Sequence, residues 1–221
     1  MNIEKLELRI LGYEHITNTY LIYDENKEAV LIDPADEKDK IINKIEELGL
    51  NVKNIVLTHG HFEHTNALYD LVEYTNAKVL IHKDDVDMLL GKVDDASSIF
   101  DAIPKYINEK DIQEICDGYI LNIGNMELEI IHTPGHTAGS IVIYVKNENV
   151  IITGDTIFAN AFGRCDLATS NMDNMVLSLR KVFNRFEELD ITIYPGHGES
   201  SKLKTAKKYI KLLLALRKIE L

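Results

Sequence analysis

Apolar and polar positions along this chain follow two different periods. Leu6-Glu7-Leu8-Arg9-Ile10 alternates strictly, and a period of two predicts a strand with one buried face. Two further apolar runs, Thr19–Tyr23 and Ala29–Ile32, flank the polar stretch Asp24-Glu25-Asn26-Lys27 and predict a hairpin that Asp33-Pro34 ends. From Glu37 to Leu48 the period lengthens, with Ile41, Ile42, Ile45 and Leu48 at helical spacing. A strand at Asn54–Thr58, a helix carried by Ala67, Leu68, Leu71 and Val72, and a strand at Ala77–His82 follow. The stretch Asp84–Ile115 reads as irregular helix broken at Pro104. Strands are then expected at Leu128–His132, Ile141–Val145 and Val150–Thr153, a helix at Met175–Phe186, a strand at Ile191–Tyr194 and a closing helix at Lys202–Lys218. In that last helix Leu203, Ala206, Ile210, Leu213 and Arg217 share one face, which Leu212 and Leu216 widen. Docking on the body with the lysines in water is the expectation for it. No linker-like stretch or composition break divides the chain, so residues 1–221 are expected to form one domain.

Composition narrows the class. With 221 residues, 45% of them hydrophobic and 27% charged, the chain can bury a core and is globular rather than disordered. Its 36 acidic residues outnumber 24 basic ones for a formal charge of −12, which repels phosphate backbones; no nucleic-acid partner is expected. The opening MNIEKLELRI lacks the apolar stretch of a signal peptide, and no apolar run reaches the ~18 residues of a membrane span. A cytoplasmic location without membrane contact is expected. Two cysteines, Cys116 and Cys165, offer neither a disulfide framework nor a cysteine-rich zinc motif.

The candidate chemistry sits where apolar runs end. NIVLT leads into His59 and His61, LEIIHTPG into His136, VIITG into Asp155 and ITIYPG into His197, while THGHFEH adds Glu63 and His64. A metal site needs several rigidly held donors from distant parts of the chain, and strand ends supply that rigidity. Imidazoles with carboxylates suit zinc, iron or manganese, and the lack of cysteine ligands favours a catalytic over a structural ion. One histidine after one strand is ordinarily a turn residue, and His15, His82 and His132 are read that way; the fourfold recurrence sets the others apart.

Together THGHFEH, TPGHTAGS, TGD and PGHG resemble the successive motifs of the metallo-β-lactamase superfamily, whose fold is a four-layer αββα sandwich. NTYLIYD, IDPAD, HTPGHTAGSIVIY, ITGDTIFA, FGRCDL and YPGHGE are similar to its glyoxalase II-like branch, and the likeness runs from about Asn18 to Glu199. The resemblance implies two divalent metal ions, zinc first and iron or manganese as alternatives. It implies His59, His61 and His136 as ligands of one ion, Glu63, His64 and His197 as ligands of the other, and Asp155 as the bridge. Such a pair activates a shared water toward a polarised carbonyl. Asp155 and Glu63 are accordingly the candidate catalytic carboxylates.

Glu63 departs from the resemblance, which has aspartate there. Its longer arm either still ligates the second ion or only hydrogen-bonds the activated water; ligation is the expectation, because carboxylates tolerate mono- and bidentate geometries. Asp33 and Asp166 resemble acids that orient ligand histidines. His132 is expected to pack or hydrogen-bond behind the site, Cys165 to be a small buried filler, and Asn160 to Arg164 to line the substrate entrance.

The resemblance implies a hydrolase acting on a small thioester or related acyl compound, with no partner beyond a small molecule and a monomeric or homodimeric state. Only Ser200–Leu221 follow YPGHGE, the motif of the last candidate ligand, so the helical extension with which glyoxalase II enzymes help bind glutathione is not expected. A single-iron oxygenase resembling the persulfide dioxygenases, or a lactonase, is the alternative.

Overall fold

The computed structural model describes residues 1–146 and 148–221. Among the described residues, two sheets of six strands carry the fold. The first runs in chain order: β1 (Asn2–Arg9), β2 (Ile16–Tyr23), β3 (Glu28–Ile32), β4 (Asn51–Val56), β5 (Lys78–His82) and β6 (Ile112–Ile115). Strands β1 to β3 are antiparallel, whereas β3 to β6 are parallel neighbours. The second sheet orders β7 (Ile120–Ile123), β8 (Met126–His132), β9 (Ile141–Val145), β10 (Val150–Gly154), β11 (Thr192–Pro195) and β12 (Ser201–Lys202), with β10 and β11 parallel. Helices α1 (Lys38–Leu48), α2 (Phe62–Thr65), α3 (Leu68–Thr75) and α4 (Val86–Leu89) belong to the first half, and α5 (Met172–Arg185) and α6 (Leu203–Leu216) to the second.

The strand period sorts side chains into three layers of core. Ile22, Val30, Ile32, Val56 and Leu80 of the first sheet meet Leu128, Ile130, Ile141, Ile143 and Ile152 of the second. Their neighbours in sequence, such as Leu21, Leu31 and Ile55, point the other way and pack under α1 and α3 through Ile41, Ile45 and Leu71. On the opposite side Ile131, Val142, Ile151 and Ile193 pack under α5 and α6. Both faces of each sheet are therefore covered, which explains why several strands read as continuous apolar runs. This is the αββα sandwich that the resemblance implies.

Local chemistry accounts for the element ends. Asp24 closes the β2–β3 hairpin by accepting from the backbone N–H groups of Asn26 and Glu28 at 2.9 and 3.0 Å. Helix α1 stops at Gly49, whose φ of 64° is the left-handed conformation that glycine adopts without strain. Asn171 caps α5, its side chain accepting from Asn174 N–H at 2.9 Å.

Three expectations need correction. Asp84–Ile115 is not an irregular helix: it holds single turns, the four residues of α4, and the edge strand β6 at Ile112–Ile115. Pairing with β5 overrides the ambiguous local pattern there. Strands also form at β7 and β12, where the apolar pattern predicts none. In α6 the buried face is Leu203, Ala206, Ile210 and Leu214, while Leu212 and Leu216 are exposed at 60% and 75%. The helix docks as expected, but Leu213 is only half-buried and Arg217 is exposed while Leu214 takes the buried position, because spacing does not say which flank a neighbour covers.

Candidate metal centre

Most of the candidate donors follow the end of a strand, and backbone contacts lock those ends in place. After β4, Leu57 N–H still bonds Leu80 O at 2.9 Å, and Ile141 N–H reaches across from β9 to Thr58 O at 2.9 Å. The chain then turns through Gly60, where a side chain would meet Met88 Cβ at 2.8 Å, and enters α2 with Glu63 and His64. Gly154 brings β10 to its turn at φ 46°, with room for a hydrogen only, since an added Cβ would lie 2.5 Å from Thr58 Oγ1. Asp155 follows directly.

The rings converge. His59, His61 and His136 stand with centroids 4.6 to 4.8 Å apart and planes 78° to 89° to one another. Asp155 lies between this triad and the other histidines: Oδ2 is 3.6 Å from His136 Nε2 and 3.3 Å from His197 Nε2, and Oδ1 is 3.3 Å from His64 Nε2. Among the described residues, the donor atoms of His59, His61 and His136 fall within 4.8 Å of one another, as do those of His59, His64 and Asp155 and those of His15, Glu63 and His197.

What lies behind the rings determines which nitrogen each presents. His64 Nδ1–H donates to Asp33 Oδ2 at 3.0 Å, and Thr58 Oγ1–H donates to the same oxygen at 2.6 Å. With its proton so engaged, the Thr58 hydroxyl accepts from His59 Nδ1–H at 3.0 Å. His136 Nδ1–H donates to Arg164 O at 2.9 Å and His197 Nδ1–H to Ile16 O at 2.7 Å. In the neutral form of each of these four rings Nε2 is therefore the nitrogen that carries the lone pair. His61 is turned over, presenting Nδ1 2.9 Å from His136 Nε2.

The electrostatics are those of a donor cage. His59 and His61 are held well below the ordinary imidazole range by burial and by their neighbouring rings. Burial also opposes charge on His64 and His197, yet the Asp155 carboxylate outweighs it and raises both. Burial pushes Glu63 up. Among the buried side-chain atoms without a hydrogen-bond partner are five of the centre: His59 Nε2, His61 Nε2, His64 Nε2, Glu63 Oε2 and Asp155 Oδ1. Orphaned polar atoms are costly unless something binds them, and nitrogen and carboxylate donors in this number fit divalent transition ions.

Of the supporting residues, Asp33 acts as expected and Asp166 does not. Asp166 is exposed and paired at 2.6 and 2.8 Å with Arg164, two residues away, a local partner that keeps it from the histidines. The acid that was missed is Asp85. It is buried, and accepts from Gly60 N–H at 3.0 Å, Gly139 N–H at 2.7 Å and Thr137 Oγ1–H at 2.6 Å, tying the His59–His61 turn to the His136 loop. Nothing local distinguishes it from Asp84 beside it. His132 donates from Nε2 to Ala138 O at 2.8 Å and stacks flat on His82, the structural part expected of it. Cys165 is half-buried, its thiol pushed up to about 11 by burial, a filler and not a nucleophile. The stretch from Asn160 to Arg164 reaches the centre through Gly163, packed against the Asp155 carbonyl, and through Arg164 O. His15, set aside in the sequence, has its ring 4.8 Å from that of His197.

Known proteins give the same picture. Residues 12–211 match the family model of the metallo-β-lactamase superfamily. The chain is 30% identical over 193 residues to the hydroxyacylglutathione hydrolase GloC of Haemophilus influenzae, covering 86% of this chain and 90% of that one. It is 39% identical over 221 residues to the probable metallo-hydrolase MJ0888 of Methanocaldococcus jannaschii, covering 94% and 99%. Among solved structures, TTHA1623 in a di-iron-bound form superposes with a TM-score of 0.82 at 27% identity, covering 95% and 99%. With the fold, the order of the motifs and the family model in agreement, the chain belongs to the metallo-β-lactamase superfamily.

Proposed function

We propose that this chain is a metal-dependent hydrolase of small thioesters or related acyl compounds, acting in the cytoplasm as one domain. The observation that carries it is the position of Asp155, with one carboxylate facing both the His59–His61–His136 triad and the His64–His197 side. In this reading His59, His61 and His136 would hold one ion and Glu63, His64 and His197 a second, with Asp155 shared between the two sites. A bound pair supplies Lewis acidity, which makes a water acidic enough to deprotonate near neutral pH and polarises a carbonyl.

The chain's own groups do the rest. Thr58 and Asp33 hold His59 and His64 in the tautomer that leaves Nε2 free. The carbonyls of Arg164 and Ile16 do the same for His136 and His197. A thiol leaves as thiolate, with an ordinary pKa near ~8.5, so a thioester asks little of a general acid. That suits a centre whose polar atoms are donors to a metal rather than proton donors to a leaving group. The similarity to GloC supports a thioester in which the acyl group is carried on a thiol.

Protein purified without chelator should cleave S-lactoylglutathione or an N-acetylcysteamine thioester, lose that activity on exhaustive chelation and regain it with zinc, manganese or iron. Oxygen uptake with glutathione persulfide, and no thioester cleavage with any metal, would sink the hydrolase reading in favour of an oxygenase.

A further inference from the structure

Glu63 lies in α2 one residue before His64, yet its carboxylate does not group with His64 and Asp155. Its donor atoms fall within 4.8 Å of those of His197 and His15, while His64 and Asp155 group with His59. One carboxylate oxygen, Oε2, is buried without a hydrogen-bond partner. The extra methylene of glutamate, compared with aspartate, carries the carboxylate toward the loop that precedes β2.

His15 is built into that loop with its backbone fixed. Its carbonyl accepts from Ile10 N–H at 3.1 Å, and the carbonyl of the next residue, Ile16, is the group that orients His197. Phe100 packs edge-on against the His15 ring at 5.4 Å and supports one side of it. Ring geometry then separates His15 from the other histidines outside the motif. The rings of His15 and His197 stand 4.8 Å apart at 70°, close to the 4.8 Å and 78° of His59 and His136. In such edge-to-face pairs the in-plane lone pairs can converge on one point. The donor atoms of His82, Asp84 and His132 also fall within 4.8 Å of one another, but the two rings stack at 3.8 Å and 13°, so their lone pairs run side by side, and His132 Nε2 is already engaged by Ala138 O. Donors around an ion with bonds of about 2.0–2.2 Å lie about 3.4 Å apart in a tetrahedral site, so a group within 4.8 Å needs only small side-chain rotations to close.

We propose that His15 is a metal ligand of this centre: it would join Glu63, His64 and His197 around the second ion, with the long arm of Glu63 making the additional histidine necessary. Three imidazoles and one carboxylate form a donor set suited to zinc, iron or manganese. The assignment rests on the two-metal reading above and adds to it a ligand outside the motifs.

Metal-free protein titrated with Co(II), followed by visible absorption and by equilibrium dialysis, separates the two claims. Wild type should take up two ions. His15→Ala, a change at an exposed ring, should bind the first ion as wild type does and the second at least about ten-fold more weakly, in line with the cost of losing a group that supports a metal. In a Glu63→Asp background the shorter carboxylate returns to His64 and Asp155, and adding His15→Ala should then change nothing. Uptake of one ion by wild type would overturn the two-metal reading and this assignment together. Two ions in wild type with second-site affinity unchanged in His15→Ala would overturn the His15 assignment alone, and an equal loss in both backgrounds would overturn its link to the glutamate.

Discussion

The carboxylate of Asp33 stands 3.0 Å from Nδ1 of His64, across 31 residues of chain. Asp33 adopts a left-handed backbone, φ 50°, which Asp and Asn tolerate better than other side-chain-bearing residues. Asp33→Asn therefore keeps the backbone but removes the charge that holds the His64 tautomer. Metal affinity should fall about ten- to a hundred-fold with little change in the far-UV spectrum. Isothermal titration of the metal-free variant measures this; affinity equal to wild type would show that Asp33 does not set the ring.

Gly196 has no space for a side chain. A Cβ there would collide with Asp155 Oδ1 and lie 2.7 Å from His64 Cε1. Gly196→Ala should displace both groups, cost about 1–3 kcal/mol as overpacking does, and lower metal content in parallel. Urea denaturation and elemental analysis of one preparation test both parts. Retained stability together with full metal content would contradict the close approach.

The docking of α6 predicts a sharp contrast within three residues. Leu214 is 0% exposed in the core beneath the helix and Leu216 is 75% exposed. Leu214→Ala should cost about 2–5 kcal/mol, and Leu216→Ala should stay within about 0.5 kcal/mol of wild type. Equal effects would mean that the helix is not seated as described.

His82 makes stability depend on pH in a known direction. Burial, reinforced by the stacked His132 ring, pushes it down to about 4. In the unfolded chain an imidazole titrates near ~6.5, so between these values the unfolded form binds a proton that the folded form does not. The contribution of neutral His82 is thus present at pH 7, declines as pH falls below about 6.5, and is gone once pH passes about 4. Comparing metal-free wild type with His82→Gln by urea denaturation at stepped pH values should show the gap between them narrowing toward acid. A gap that widens would reverse the assignment.

The order of the strands and helices was legible in the sequence because burial on one or both faces of a sheet leaves a local period. Leu21 and Ile22, or Ile55 and Val56, need only the pleat to send them to opposite cores. The seven candidate donors were legible for a related reason: five follow an apolar run and Glu63 and His64 share the THGHFEH motif with two of these, and residue type near a strand end is local information. What surrounds those donors was not. Asp33 and Asp166 look equally eligible along the chain, but the arginine two residues from Asp166 captures it, while Asp33 is turned toward Thr58 and His64. Asp85 could not be told from Asp84, because its partners are Gly60 and Gly139, 25 and 54 residues away. The presentation of His197 depends on a carbonyl 181 positions distant, and the same loop brings His15 beside it. Which nitrogen of each ring is free, and which acid stands behind it, are set by contacts between segments remote in sequence, and only the packing of the two sheets brings those segments together.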